Sequence, residues 1–321
     1  MRERAEAMVL ASFAADSHAL GAHWIYDTNE IASRYGRVER LLPAPPDSLH
    51  AGRPMGAFTH YGDQTLLLLR HLAARKSLDI ASFSEEWRAY MQGYDGYVDH
   101  ATNETLSNLA AGRAPAEAGS SSHDLGGAAR IAPLAYRYRD ERDALVETAR
   151  AQTSMTHREP LVVDAAGALG HILWIVLNGK TPSAATRTVI DARPHADVSG
   201  LLQRGLESTS EGTAEAARRF GQDGSVTAAL PLAINLIATY EGSLASALVE
   251  NVAAGGDSAA RGMVVGMVLG AFHGRDAIPD DWIEGMRAYR EISTLLEDLE
   301  AVLQRNGTAG GKTNGGSAIA Y

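Results

Sequence analysis

Two aspartates, Asp63 and Asp257, each follow glycine and open an apolar helical pattern. The second lies in residues 255–274, GGDSAARGMVVGMVLGAFHG, where Gly255 and Gly256 allow a tight turn and Asp257 falls where an N-cap belongs. The first lies in residues 59–72, THYGDQTLLLLRHL, which repeat the order of glycine, acid, polar residues and apolar helix. Helix N-termini carry partial positive charge and suit carboxylates or anionic groups such as phosphate. Two acids at two such termini, far apart in sequence, can converge on one site. The competing role for Asp257 is a plain helix cap, which taken alone is the commoner one.

Among the eleven histidines, His23, His60, His123 and His157 lie in loop-like stretches beside small or polar residues. That makes them better site candidates than His71 or His171, although a surface or capping role is the ordinary one. Met263 and Met267 read as core. No P-loop, dinucleotide fingerprint, HExxH motif or GxSxG elbow is present. The string DLGGAARIAP, beginning at Asp124, does not follow a strand and is not a Rossmann turn.

The elements that must position these residues are helical. Met263, Val264, Met267, Val268 and Ala271 recur at helical spacing, and Gly262, Gly266 and Gly270 lay a smooth stripe along that helix for another backbone to approach. Further helices are expected over 5–24, 63–76, 82–94, 123–138, 140–152, 161–178 (stopped by Gly179), 226–240 and 244–253, with two amphipathic ones in 180–220 about a turn near Pro194 and His195. Residues 36–62 read as loop, and one amphipathic helix follows Asp280. No alternating strand pattern, fixed repeat or interdomain linker is visible. The expectation is a single compact all-α domain over residues 1–305, with a Gly/Asn/Thr-rich flexible tail over 306–321.

Composition narrows the function. In 321 residues, 45% are hydrophobic, enough for a sizeable core. Acidic residues number 39 against 29 basic, a formal net charge of −10, and no dense Lys/Arg stripe exists, which argues against nucleic acid as a partner. Without cysteine there is no thiol nucleophile or thiolate metal site, and a cytoplasmic location fits. The N-terminus only faintly imitates a signal peptide, because Glu3 and Glu6 dilute its basic region. No window approaches a membrane span of about 20 apolar residues, so no membrane partner is expected.

Taken in order, ALGAHWIYD, GDQT, HDLGGAARIAPLA, THREP (156–160) and GGDSAARG…GAFHGRDAIPDDW resemble the ADP-ribosylglycohydrolase family over about residues 7–285. HYGDQT and GGDSAARG are most similar to its branch containing jellyfish J-type lens crystallins. The resemblance implies a central cleft between helices. In active members, two Mg²⁺ ions there help cleave an N- or O-glycosidic bond to the ribose of ADP-ribose. Those members carry Thr-Asp-Asp at the first helix start, where this chain has Gly62-Asp63-Gln64. At the second they carry Asp-x-Asp-Thr, where this chain has Asp257-Ser258-Ala259-Ala260. Asp63 and Asp257 remain, with Gln64 as a neutral oxygen donor. One Mg²⁺ at most, between Asp63 and Asp257, is the expectation, because two carboxylates do not offset four positive charges. Arg261, one turn past Asp257, is the candidate to stand in for a lost metal. Its competing role is a pairing without chemical consequence.

By resemblance, then, the expected function is hydrolysis of an ADP-ribosyl or related ribosyl bond, on a small molecule or an ADP-ribosylated substrate. Asp63 or Asp257 would be the general base, its pKa raised by the other carboxylate. Gln64, Thr65 and Ser258 would position substrate hydroxyls, and His23 and Asp27 would line the mouth of the cleft. Arg130 could meet a phosphate, with His123 and His157 at the rim. Two alternatives stay open. The cleft could hydrolyse a small amide, lactam or amine-linked metabolite, or the protein could be a non-catalytic, crystallin-like or ligand-binding relative. Oligomeric state is not readable.

Overall fold

The computed structural model describes residues 1–193 and 195–310, and the expected turn residue Pro194 and the segment 311–321 lie outside it. In chain order the helices are α1 (Arg2–Ala19), α2 (Thr28–Tyr35), α3 (His60–Arg75), α4 (Ile80–Gln92), α5 (His100–Ala110), α6 (Gly126–Ala129), α7 (Ala132–Arg137), α8 (Arg142–Thr156) and α9 (Pro160–Leu177). They continue as α10 (Pro182–Ala192), α11 (Ala196–Glu207), α12 (Thr213–Phe220), α13 (Val226–Thr239), α14 (Leu244–Ala253), α15 (Ser258–His273), α16 (Asp280–Gly285) and α17 (Tyr289–Gly310). Among the described residues no strand forms, and the extended pairing reduces to two isolated bridges, Ser120 with His157 and Asp124 with Ser225.

Helices α1 and α15 form the central pair. A helix buried on all sides has no polar face to spare, and both sequences obey this with alanine, glycine and aliphatic residues. The glycine stripe is where they meet. A Cβ added at Gly266 would fall 2.5 Å from the Ala11 carbonyl oxygen, and one at Gly270 would fall 2.8 Å from that of Ala7. The backbones touch because neither helix offers side-chain bulk between them. Around this pair lie α3, α7, α9, α13 and α14, with α17 closing over α3. Helix α9, apolar over 18 residues, is long and apolar enough by length and composition to cross a membrane, which the sequence reading did not expect. It lies inside the fold, 67% buried, and packs on α8.

Boundaries differ from expectation where turns intervene. The run 123–138 breaks into the short helices α6 and α7, and 180–220 holds three helices where two were expected. The pattern after Asp280 is interrupted at Met286, whose extended backbone (φ −65°, ψ 124°) separates α16 from α17. Helix α17 continues to Gly310, beyond the expected domain edge at residue 305. Gly179 stops α9 as expected, with φ of 101°.

Candidate functional site

Asp257 is the N-cap of α15, its carboxylate accepting the Ala260 amide at 3.3 Å. The turn before it needs glycine twice, since Gly255 and Gly256 have φ of 71° and 70°. A Cβ on Gly256 would also collide with the Gln222 carbonyl, at 2.0 Å. That turn is stitched to two distant segments. Trp24 donates its amide to Gly256 (2.9 Å), Gly256 donates to Ile25 (2.8 Å), and Asp257 donates to Gln222 (2.8 Å). These bonds hold Trp24 at φ 65°, a left-handed conformation uncommon for a bulky side chain.

Arg261 does not take the role expected of it. Its guanidinium is fully buried and donates from Nε to Asn251 Oδ1 (2.7 Å) and from Nη2 to the Asn251 and Gly255 carbonyls (2.8 Å each). It braces the turn below Asp257 and makes no hydrogen bond to a carboxylate. Its charge still reaches Asp257 and favours the ionised form.

The Asp257 carboxylate also accepts the Tyr61 hydroxyl at 3.1 Å, and His23 Nδ1 lies 3.8 Å away. His23 Nδ1 accepts the Ala259 amide (3.3 Å), which places the ring proton on Nε2. Burial, with His50 and His60 close by, pushes the His23 pKa well below its ordinary value, so the ring is neutral. Asp257 itself rises to about 6, first because it is buried and second because Asp124 is near. Asp124 arrives through the paired segments 123–126 and 224–226, where Leu125 donates to Gly224 (2.7 Å) and Val226 to His123 (2.8 Å). Gly224 stands between the two acids. A Cβ there would lie 2.5 Å from Asp257 Oδ2 and 3.6 Å from Asp124 Cβ. Behind Asp124, His157 Nε2 lies 3.3 Å from its carboxylate, with Thr156 Oγ1 2.9 Å from His157 Nδ1.

Helix α3 places Asp63 differently from Asp257. Thr59 is its N-cap and Asp63 lies one turn inside. Asp63 Oδ2 accepts the Tyr94 hydroxyl (2.7 Å) and sits 2.8 Å from Arg53 Nη2, which itself donates to Tyr94 (2.9 Å). Burial raises the Asp63 pKa and Arg53 opposes the rise. Asp63 and Asp257 thus hold separate partners, with His60 and Tyr61 on the first turn of α3 between the two sets.

Several expected ligand-binding groups face inward. Gln64 Oε1 is consumed by the Trp87 indole (2.8 Å) and by Arg130, and the rest of the Arg130 fork reaches Thr156. Thr65 donates to the Tyr61 carbonyl within α3, at 2.8 Å. These three build the wall behind the site and are buried. Asp27 is an exposed cap of α2, accepting the Asn29 amide at 2.8 Å. His123 is exposed and 3.7 Å from Glu159. Ser258 is buried beside Asp257 with no partner for its hydroxyl among the described residues.

These residues do not fit a magnesium centre. Mg²⁺ demands several free oxygens in octahedral array, yet Asp63 is neutralised by Arg53 and the Gln64 oxygen is spent. Among the described residues no group of three or more His, Asp or Glu is placed to hold a metal ion.

A cavity of about 550 Å³ adjoins this cluster at His23 and is walled also by Trp24, Tyr26 and Tyr97. The Trp24 and Tyr97 rings meet edge to face, 5.1 Å apart at 77°. Beneath them a chain runs from His50 Nε2 to His60 Nδ1 (3.3 Å) and from His60 Nε2 to Asp99 (3.3 Å). Asp124, Tyr61, Gly224, Tyr97 and Arg53 were not singled out from sequence. For Asp124 a signal existed, because Asp-Leu-Gly-Gly before α6 uses the same acid-and-glycine grammar as Gly-Gly-Asp before α15.

The profile of the ADP-ribosylglycohydrolase family matches residues 1–309. Crystallin J1B of Tripedalia cystophora is 22% identical over 326 residues, covering 95% of this chain and 98% of that protein. ADP-ribosylhydrolase ARH3 of Bos taurus is 24% identical over 328 residues, with 87% and 88% covered. A solved structure described as an ADP-ribosylglycohydrolase-related protein complex shares the fold, with a TM-score of 0.69 at 21% identity over 93% of this chain and 97% of that one.

Proposed function

The chain belongs to the ADP-ribosylglycohydrolase family, and from that premise we propose that it hydrolyses an N- or O-glycosidic bond at the ribose of an ADP-ribosyl or related ribosyl substrate, without a binuclear metal site. The observation that carries this reading is the pair Asp257 and Asp124, close together at the side-chain-free Gly224, with His23, 3.8 Å from Asp257, lining the adjoining aromatic-walled cavity.

Glycosidic cleavage passes through an oxocarbenium-like transition state, whose positive charge nearby carboxylates stabilise. Asp257, with a pKa of about 6, is mostly ionised at neutral pH yet basic enough to take a proton from water as that water attacks C1′. Tyr61 and the Ala260 amide fix the orientation of Asp257. Asp124 is fixed by the Gly126 amide at 2.7 Å and by His157. Gly224 is needed for the close approach of its backbone to Asp257, because a Cβ there would lie 2.5 Å from Oδ2.

A second reading, ligand binding without turnover, is favoured by the diversion of Asp63 and Gln64 into structural bonds and by the likeness to Crystallin J1B. The deciding experiment measures release of free ribosyl product from a panel of ADP-ribosylated proteins and ribosyl nucleosides, for the wild type and Gly224→Ala. The hydrolase reading expects turnover by the wild type and its loss in the variant. Absence of turnover across the panel rejects it.

A further inference from the structure

Resting on that hydrolase reading, we infer that the ribosyl substrate lacks the diphosphate and carries a positive charge on the nitrogen leaving group, which the Trp24–Tyr26–Tyr97 corner receives. The first argument is the commitment of several backbone amides and charged side chains near the cavity. The Gly126 amide at the start of α6 is taken by Asp124, the Ala260 amide of α15 by Asp257, and the Ala259 amide by His23. Arg34, the one Lys or Arg lining the cavity among the described residues, is bound to Asp47 (3.0 Å) and to Glu30 (3.4 Å). Arg53 is committed to Asp63, and His23 and His50 are held neutral by burial. Among the described residues lining the cavity, the acids Glu30 and Asp47 outnumber the base Arg34, so its rim is net acidic.

The second argument is what the cavity does offer. Tyr26 lies within electrostatic reach of Asp257 and Asp223, with Arg261 a smaller opposing influence, and Tyr97 within reach of Asp99 and Asp124. Aromatic faces backed by carboxylates are the recognition chemistry of organic cations. Trp24 is held in its strained backbone conformation by the bonds to Gly256 and stacks on His23, ring centroids 4.2 Å apart. Independently, the buried His23 Nε2–H has no partner among the described residues and offers one neutral donor to a ribose oxygen.

The third argument is chemical. When a ribosyl bond to a cationic nitrogen breaks, the C1′–N electron pair returns to nitrogen and the leaving group departs neutral. The water oxygen bonds to C1′, and its proton passes to Asp257. No proton donor to the leaving group is needed, which matches a site where burial holds His23 and His50 neutral.

The test compares calorimetric binding and product release for three probes. These are nicotinamide riboside (a phosphate-free ribosyl pyridinium cation), neutral adenosine and ADP-ribose. The cation is expected to bind at least about tenfold tighter than ADP-ribose, and to lose about fivefold in affinity in Tyr26→Ala and in Tyr97→Leu, while adenosine changes less. Tyr26 is half exposed, so its replacement leaves the fold intact. ADP-ribose binding as tightly as the cation would overturn the substrate inference and leave the hydrolase reading standing. Binding of the cation without cleavage would keep the recognition inference and remove the hydrolase reading. Failure of all three probes to bind overturns both.

Discussion

Replacing Asp257 with Asn separates catalysis from stability in one residue. The carboxylate is fully buried and its pKa rises from 3.8 to about 6, so the folded protein holds a proton there that the unfolded chain has already lost. A group raised in the folded state contributes stability below its unfolded pKa, and that contribution disappears as pH climbs through the folded value. At neutral pH the ionised Asp257 therefore burdens the fold. At about 1.4 kcal/mol per unit, the burden is about 3 kcal/mol. Asparagine caps a helix as well as aspartate and still accepts the Tyr61 hydroxyl, so the variant loses the charge and little else. Asp257→Asn is expected to melt several degrees higher than the wild type at pH 7, with the difference shrinking toward pH 4. Hydrolysis should fall by about 10²-fold or more, the usual cost of a lost general base. Melting curves across this pH range, paired with product release, decide the matter. A variant that melts lower at pH 7, or whose advantage does not change with pH, refutes the buried-charge reasoning.

Three further outcomes follow from the geometry. Asp124→Asn removes the second-largest cause of the raised Asp257 pKa, so the rising limb of the pH profile of kcat/KM should move to lower pH; a limb that stays in place detaches Asp124 from the site. Exhaustive chelation should leave turnover unchanged and Mg²⁺ titration should give no saturable heat, whereas saturable binding lost in Asp63→Asn would restore a metal at α3. Gly266→Ala pushes a methyl group to within 2.5 Å of the Ala11 carbonyl and should cost about 1–3 kcal/mol in urea unfolding, without altering the Asp257 pH profile.

The fold was readable because its central facts are periodic. The glycines of α15 announced a close neighbour, and that neighbour is the alanine-rich α1. Asp257 was readable as a cap because Gly-Gly-Asp before an apolar run has few other uses. Asp63 was harder to read. Its spacing matched a helix start, but the start is Thr59, three residues before Gly62-Asp63. Its partners come from residues 53 and 94, which no local pattern connects to it. Arg261 and Gln64 show the same limit. Residue type says what a side chain can donate or accept, but not which of several buried groups will claim it. Asp124 was hidden because its closeness to Asp257 depends on the pairing of residues 123–126 with 224–226.

The contact between α1 and α15 also orders events during synthesis. Helix α1 is made more than two hundred residues before α15, the helix that mainly buries it. At roughly 5–20 residues per second, α1 waits tens of seconds for its partner, exposing apolar surface meanwhile. No fragment ending before Ser258 can complete the central pair, so the face of α1 that α15 covers stays open until that helix has been made.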